Sequence, residues 1–261
     1  MTINNNNELV TTSLDKGIFK IGIQRPDKLN ALTLAMYDAM TAALESAEQD
    51  KQVRVILIHG TEDCFTSGND LSDFAKNPPV GENSPVFRFL RAISQAQKPV
   101  IAMVSGAAVG IGTTMLLHCD LVYADETARL RLPFVNLGLC PEAASSYLLP
   151  KLVGSLRASE ILLLGETIDA ERALELGLVN RIFSHSNLLD QVMAKGLQLA
   201  AQPPASVRLT KSLLKENQAQ QVAAVMSKEG DLFLRQLAKP EAQEAINAFI
   251  EKRKADFSQF S

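Results

Sequence analysis

Val104-Ser-Gly-Ala-Ala-Val-Gly-Ile-Gly-Thr-Thr-Met115 is a glycine-rich segment between two apolar runs. The run before it, 99–104, has the composition of a buried strand, and the run after it, 115–119, that of a buried helix. Its small residues allow a sharp turn and close backbone approach, and a helix N-terminus offers unpaired N–H donors. The segment therefore predicts a strand-to-helix turn, either purely structural or binding. It lacks the dinucleotide and phosphate-loop patterns.

The composition is that of one large domain, or of one domain with an appendage. The chain has 261 residues, 46% of them hydrophobic, and a formal net charge of −3. This charge argues against a nucleic-acid surface, and no apolar run is long enough to span a membrane. Residues 1–7 lack the charged and apolar regions of a signal peptide, so we expect none.

The cysteines and histidines are few and scattered, at Cys64, Cys119, Cys140, His59, His118 and His185. They form no metal or redox motif, which predicts no metal site and a reduced, cytoplasmic setting. His118 lies in an apolar segment, so we expect it to be a hydrogen-bonded core residue.

Hydrophobic periodicity and capping residues predict a chain in which strands come early and helices late. Residues 1–8 are expected to be disordered and 76–85 mobile, and Thr33 is the predicted N-cap of the first helix. The early strand-strand-helix spacing favours stacked ββα units. The predicted strands are 9–14, 18–23, 53–58, 99–104, 120–124, 128–132 and 178–182. The predicted helices are 34–49, 84–96, 141–149, 155–164, 170–176 and, after residue 187, the remaining chain, which ends in the amphipathic helix 241–254.

Three segments in register resemble the enoyl-CoA hydratase/isomerase (crotonase) family. They are Arg25-Pro-Asp-Lys-Leu-Asn-Ala-Leu32, Phe65-Thr-Ser-Gly-Asn-Asp-Leu71, and the glycine-rich segment followed by Cys119-Asp-Leu-Val-Tyr-Ala124. Each motif alone is loose, but their order and spacing together are specific. The resemblance runs from about residue 9 to 257.

The resemblance implies an α/β fold with two regions. Residues 1–200 would form a crotonase-like spiral of ββα units with an acyl-CoA site, and residues 201–261 a helical trimerisation region. The partner would be an acyl-CoA thioester, and the assembly a homotrimer or a dimer of trimers. Coenzyme A is then part of the substrate, so no separate cofactor, nucleic acid or membrane partner is expected.

The resemblance also implies site residues. The backbone N–H groups of Ser67 and Ile111 would form an oxyanion hole around the thioester carbonyl. Two N–H donors aimed there stabilise the charge that develops on the oxygen when a neighbouring carbon loses a proton. The implied substrate-binding residues are Arg25 and Lys28 near the phosphates, Asn69 and Asp70 in the loop near the adenine, and Gly110, Phe134 and Asn136.

The positions of the glutamates distinguish hydratases from isomerases within this family. The family's hydratases carry two glutamates, whose positions here are Thr114 and Phe134, neither of which can do acid–base work. Glu142, after Pro141 at a predicted helix start, matches the catalytic base of peroxisomal-type Δ3,Δ2-enoyl-CoA isomerases. Its structural alternative is a first-turn acidic residue that favours the helix dipole. Asn136 is a candidate to orient Glu142.

The predicted reaction moves the double bond of a 3-enoyl-CoA to the 2-trans position. Glu142 removes a proton from C2 and returns it to C4, and apolar surroundings such as Phe134 exclude water and raise the pKa of Glu142. The alternatives are enoyl-CoA hydration, thioester hydrolysis, dehalogenation, and acyl-CoA binding without catalysis.

Overall fold

The computed structural model describes residues 9–78, 81 and 83–260, and its first element is the predicted hairpin. Strands β1 (Val10–Asp15) and β2 (Ile18–Ile23) pair antiparallel. Lys16 and Gly17 have φ angles of 47° and 83°. Two successive positive φ angles match the right-handed twist of a two-residue hairpin. The predicted disorder of 1–8 and part of the predicted mobile segment, at 79, 80 and 82, lie outside the described residues.

The described elements confirm the order predicted from the sequence. The further strands are β3 (Val55–His59), β4 (Cys64–Thr66), β5 (Val100–Val104), β6 (Ala107–Val109), β7 (Leu121–Asp125), β8 (Arg129–Arg131), β9 (Thr167–Asp169) and β10 (Arg181–Phe183). The helices are α1 (Leu34–Gln49), α2 (Leu71–Lys76), α3 (Pro85–Gln95), α4 (Ile111–Thr114), α5 (Ser145–Val153), α6 (Ser155–Leu164), α7 (Ala170–Glu175), α8 (Leu188–Ala200), α9 (Pro204–Leu237) and α10 (Pro240–Ile250).

The chain is a spiral whose turns each give one strand to each of two sheets. The first sheet has the order β1-β2-β3-β5-β7-β10, parallel except for the hairpin. The second has the order β4-β6-β8-β9, with only β9 antiparallel to its neighbour. The pairs β3–β4, β5–β6 and β7–β8 thus repeat one path. This arrangement is the predicted spiral of ββα units.

Three of the described strands are not predicted from the sequence. Strands β4, β6 and β9 have three residues each, and β4 and β6 lie in a turn-rich and a glycine-rich segment, where no apolar run marks them. The strand predicted at 178–182 lies at Arg181–Phe183, because Leu178 and Val179 are buried in the turn that precedes it. The short strands matter because β4 and β6 lead directly into the loops of the candidate site.

The C-terminal helices pack on the body of their own chain. Helices α9 and α10 are held by the burial of their apolar side chains. At the other end of the chain, the Thr33 side chain caps α1 as predicted and accepts from the Met36 N–H. Met226, Phe233 and Ile246 belong to the same buried core as the sheets. The proposed boundary at residue 200 coincides with the end of α8, and the trimerisation role of 201–261 stays a prediction. No described helix combines the length and the apolarity needed to cross a membrane.

Candidate active site

A cavity of about 890 Å³ lies where the loops after β2, β4, β6 and β8 meet the C-terminal helices. Phe233 and Leu237 of α9, and Ile246 and Phe249 of α10, line one side of it. The volume is within the range of small-molecule sites. Nine of the ten predicted site residues line it: Arg25, Lys28, Ser67, Asn69, Asp70, Gly110, Ile111, Phe134 and Asn136.

The Ile111 N–H is available at the start of α4. Gly110 has φ 57° and ψ −117°, and Ile111 is the first residue of the helix. The Gly110 carbonyl accepts from the N–H groups of Thr113 and Thr114, and no described residue accepts from Ile111 N–H. The first N–H groups of a helix have no intrahelical partner. Because Ile111 also lines the cavity, this N–H is free for an external acceptor there.

The predicted role of Ser67 as the second donor is wrong. Its N–H already donates to the Leu29 carbonyl at 2.9 Å, because the β4 loop pairs with the segment after β2. Two residues further on, Asn69 forms an isolated parallel bridge with Leu32. That bridge uses the Leu32 N–H and the Asp70 N–H, and it leaves the Asn69 N–H without an acceptor among the described residues.

The two loops that carry these N–H groups are in direct contact. Gly68 has φ 93°, and a Cβ atom there would lie 2.8 Å from the Val109 carbonyl oxygen. At Gly112, a Cβ atom would lie 2.7 Å from Thr66 Cγ2. Only glycine permits both approaches, and the approaches bring Asn69 and Ile111 to one wall of the cavity.

Tyr37 fixes the Asn69 side chain from α1. Its hydroxyl donates to Asn69 Oδ1 in a short hydrogen bond, and the whole tyrosine is buried. Burial, and then the charge of Glu142, raise the pKa of Tyr37 well above its usual value. The Tyr37 hydroxyl therefore stays protonated and remains a hydrogen-bond donor to Asn69.

Glu142 is a buried carboxyl beside Thr114. The residue is 6% exposed, its Oε1 accepts from the Thr114 hydroxyl, and its Oε2 has no hydrogen-bond partner. Burial raises the pKa of Glu142 to about 8, the Thr114 hydrogen bond lowers it, and the charge of Glu229 raises it. A carboxyl with this pKa can take and return a proton near neutral pH.

Glu142 does not open a helix, so its interpretation as a first-turn dipole partner is wrong. Helix α5 begins at Ser145, and the two residues between, Ala143 and Ala144, have φ angles of 61° and 55°. The Glu142 carbonyl accepts from the Ser145 N–H and hydroxyl. Glu142 also does not line the cavity. Thr114, which contacts it, is one helical turn from the cavity-lining Ile111.

Arg25 and Lys28, the two residues predicted to contact the phosphates, differ in whether their side chains are already bonded within the protein. The Arg25 guanidinium donates to Asp70 at 2.7 Å and to the Ala31 carbonyl. Asp70 in turn caps α2 by accepting from Ser72 and Asp73 N–H. Arg25 and Asp70 thus shape the cavity mouth, whereas Lys28 is exposed there.

Asn136 does not orient Glu142. Its side chain is exposed and donates to the Leu164 carbonyl, so it ties the segment after β8 to the end of α6. Phe134, two residues earlier, is buried and lines the cavity, and its role in binding the substrate stays a prediction. Asn136 lines the cavity mouth but is directed at the backbone of another helix.

Sequence reasoning missed three side chains around Glu142. Thr114 was noted only as a missing glutamate, and Tyr37 looks like an ordinary core residue of α1. Glu229 did have a sequence signature, because it shares one face of α9 with Met226 and Phe233 at helical spacing. A carboxylate on an apolar face is unusual. His118, in contrast, is confirmed as a core residue, since it is buried and bonded to the Ala143 carbonyl.

Within residues 9–78, 81 and 83–260, no three His, Cys, Asp or Glu side chains are placed to share a metal ion. The site itself offers one buried carboxyl, that of Glu142, and two backbone donors, the N–H groups of Asn69 and Ile111.

Comparisons with known proteins agree on one family. The family model described as enoyl-CoA hydratase/isomerase matches residues 13–260. Enoyl-CoA delta isomerase 2 of Rattus norvegicus is 36% identical over 251 residues, which cover 94% of this chain and 63% of the rat protein. This chain therefore spans less than two thirds of that relative.

Two further relatives match over nearly their whole length. The 2,3-dehydroadipyl-CoA hydratase of Escherichia coli is 32% identical over 246 residues, 94% of this chain and 96% of that protein. The crystal structure of an enoyl-CoA hydratase/isomerase from Pseudoalteromonas atlantica has a TM-score of 0.90 at 41% identity, and covers 95% of this chain and 99% of its own. The relatives thus carry both isomerase and hydratase names.

Proposed function

Because the chain belongs to the enoyl-CoA hydratase/isomerase family, we propose that it converts a 3-enoyl-CoA into the 2-trans-enoyl-CoA with Glu142 as its single base. Glu142 Oε2 takes a proton from C2, the C3–C4 double bond shifts to C2–C3, and the same oxygen returns the proton to C4. No atom is gained or lost.

The negative charge of the dienolate rests on the thioester oxygen, and the N–H groups of Asn69 and Ile111 are proposed to bind it there. Donors held in place before reaction stabilise the transition state more than the substrate. The acyl end of the substrate has to pass Ile111 to bring C2 beside Glu142 Oε2. The apolar residues of α9 and α10 would cover the acyl chain and keep water away.

One observation carries the proposal: Glu142 is a buried carboxyl with one anchored oxygen and one free oxygen. Thr114 fixes Oε1, and Oε2 has no partner. Hydration would need a second acid–base group that positions water from the cavity. The hydratase positions hold Thr114 and Phe134, and neither side chain can act as that group.

The test is one spectroscopic assay on two substrates, 3-hexenoyl-CoA and 2-trans-hexenoyl-CoA. We expect conversion of the first and little hydration of the second. Glu142→Gln should lower isomerisation by about 10³-fold, within the range that general acid–base catalysis contributes, and leave acyl-CoA binding intact. Glu160→Gln, an exposed change on α6, is the matched control and should leave the rate unchanged.

Efficient hydration of 2-trans-hexenoyl-CoA would contradict the proposal and favour the hydratase activity that the Escherichia coli relative's name describes. Full isomerase activity in Glu142→Gln would remove Glu142 from the mechanism.

A further inference from the structure

Glu229 is a second buried carboxyl, which the isomerisation mechanism does not use. It lies on α9, is 6% exposed, and is 87 positions from Glu142 in the sequence. Of the buried side-chain N and O atoms in the described residues, three have no hydrogen-bond partner. They are Ser84 Oγ, Glu142 Oε2 and Glu229 Oε2, so two of them belong to this carboxyl pair. Buried polar atoms without partners are costly, so their retention calls for an explanation.

The other oxygen of Glu229 holds the turn that carries Glu142. Glu229 Oε1 accepts from the Ser146 N–H at 2.9 Å. Helix α5 has Ala144 at its N-cap position and no side-chain cap of its own. A carboxylate at a helix N-terminus is stabilised by the unpaired N–H groups and by the helix dipole. Glu229 therefore caps α5 from a distant helix, just beyond the turn from Glu142 to Ser145.

From these contacts we propose that Glu229 is a positioning residue, which holds the Glu142–Ser146 turn in place and acts on the Glu142 carboxyl through its own negative charge. This inference rests on the role of Glu142 in the proposed function.

Three other titratable groups close to Glu142 are neutral near pH 8. Tyr37 on α1 has a raised pKa because it is buried, and burial raises the pKa of Cys140 to about 11. His118, which bonds the turn at Ala143, has a pKa lowered by burial to about 4. Burial raises the pKa of Glu229 as well, whereas its hydrogen bond with the Ser146 N–H favours the charged form. Its charge is the one that acts on Glu142.

A like charge beside a carboxyl disfavours ionisation, so the loss of the Glu229 charge must make Glu142 more acidic. Glu229→Gln is the suitable variant because its amide oxygen can still accept from Ser146 N–H. It removes the charge and keeps the cap. Glu216→Gln makes the same change at an exposed position of the same helix and is the matched control.

The experiment is a carboxyl titration by NMR of the full chain with ¹³C-labelled glutamate side chains, without substrate. The Glu142 signal is identified by its absence in Glu142→Gln. In Glu229→Gln we expect its midpoint to fall by about one pH unit, as for other carboxyl pairs, and in Glu216→Gln to stay unchanged. The acidic limb of kcat/KM for 3-hexenoyl-CoA should move down by the same amount.

An unchanged Glu142 midpoint in folded Glu229→Gln overturns the inference. If that variant fails to fold, Glu142→Gln decides, because coupling is reciprocal and the Glu229 midpoint must then fall equally. A Glu229 midpoint that does not move there overturns the inference as well. The titration needs no turnover, so a shifted midpoint in a protein without isomerase activity would reject the proposed function and leave the Glu142–Glu229 coupling standing.

Discussion

Two turns meet at Thr114, and they are held in different ways. The Gly110–Thr114 turn is local, since the Gly110 carbonyl accepts from Thr113 and Thr114 N–H, three and four residues on. The Glu142–Ser146 turn contains two alanines at positive φ and is anchored by Thr114 and Glu229, which are distant in sequence. Such φ angles cost non-glycine residues about 1–3 kcal/mol each and persist only where surrounding contacts enforce them.

The difference separates two tasks. The local turn presents a backbone N–H whose position depends on glycine geometry and hardly on side chains. The distant contacts of the second turn set the charge state of a carboxyl, so single side-chain changes can adjust it. We therefore expect loss of the Ile111 N–H to act on the limiting rate, and changes to the side chains that contact Glu142 or its turn to act on the pH profile.

The largest effect is expected from Ile111→Pro, which removes the N–H donor of the local turn. Proline is tolerated at the first position of a helix, so α4 should persist. Loss of one oxyanion donor should lower kcat for 3-hexenoyl-CoA by about 10²- to 10³-fold. Ile111→Val keeps the N–H and is the control. Near-wild-type kcat in a folded Ile111→Pro protein would contradict the role of this donor.

A smaller, pH-dependent effect is expected from Thr114→Val, which removes the hydrogen bond to Glu142. That bond favours the charged carboxylate, so its loss raises the pKa above the wild-type value of about 8. Wild-type kcat/KM should rise with pH through about 8 as Glu142 ionises. In Thr114→Val the rise should come about one unit later, giving roughly a tenfold loss at pH 7 that narrows above pH 9.

Thr114→Ser retains a hydroxyl and should keep the wild-type profile. A Thr114→Val profile with the same midpoint and a uniformly lower rate would show that Thr114 only packs against the turn. Glu229→Gln should lower the Glu142 midpoint and Thr114→Val should raise it, so the wild-type midpoint should lie between those of the two variants.

The smallest effect is expected from Tyr37→Phe, which frees the Asn69 side chain. One hydrogen bond contributes about 0.5–1.5 kcal/mol, so kcat should fall by roughly 3- to 10-fold with KM nearly unchanged. Tyr123→Phe is the control, because Tyr123 lies in a separate buried cluster with Phe183. A larger change in KM than in kcat would assign Tyr37 to substrate binding instead.

The contrast between local and distant contacts also explains which features could be predicted from the sequence. The hairpin, α1 with its Thr33 cap and α6 follow from periodicity and turn residues close together in the chain, whereas the spiral of ββα units was implied by the family resemblance. The role of the Ile111 N–H was implied by the same resemblance, and its place at a predicted helix start fits an unpaired donor. Glu142 was found only through resemblance, and its neighbours Thr114 and Glu229 lie 28 and 87 positions away.

The error at Ser67 has a physical reason too. Which N–H of a loop is free depends on which of them the neighbouring strand uses, and the segment after β2 takes the Ser67 N–H and leaves that of Asn69. Nothing in Thr66-Ser-Gly-Asn-Asp70 indicates that choice. The predicted role of Asn136 is wrong for the same reason, because its hydrogen-bond partner, the Leu164 carbonyl, belongs to a helix that is distant in the sequence.

The central claim is that one carboxyl carries the same proton from C2 to C4. The most direct test uses 3-hexenoyl-CoA with deuterium at both C2 positions, in ordinary water, and mass spectrometry with NMR to locate the label in the product. Because Glu142 is 6% exposed, exchange with solvent should be slow, and we predict a substantial share of the product with deuterium at C4. A product that carries only solvent hydrogen at C4 would contradict the single-carboxyl account.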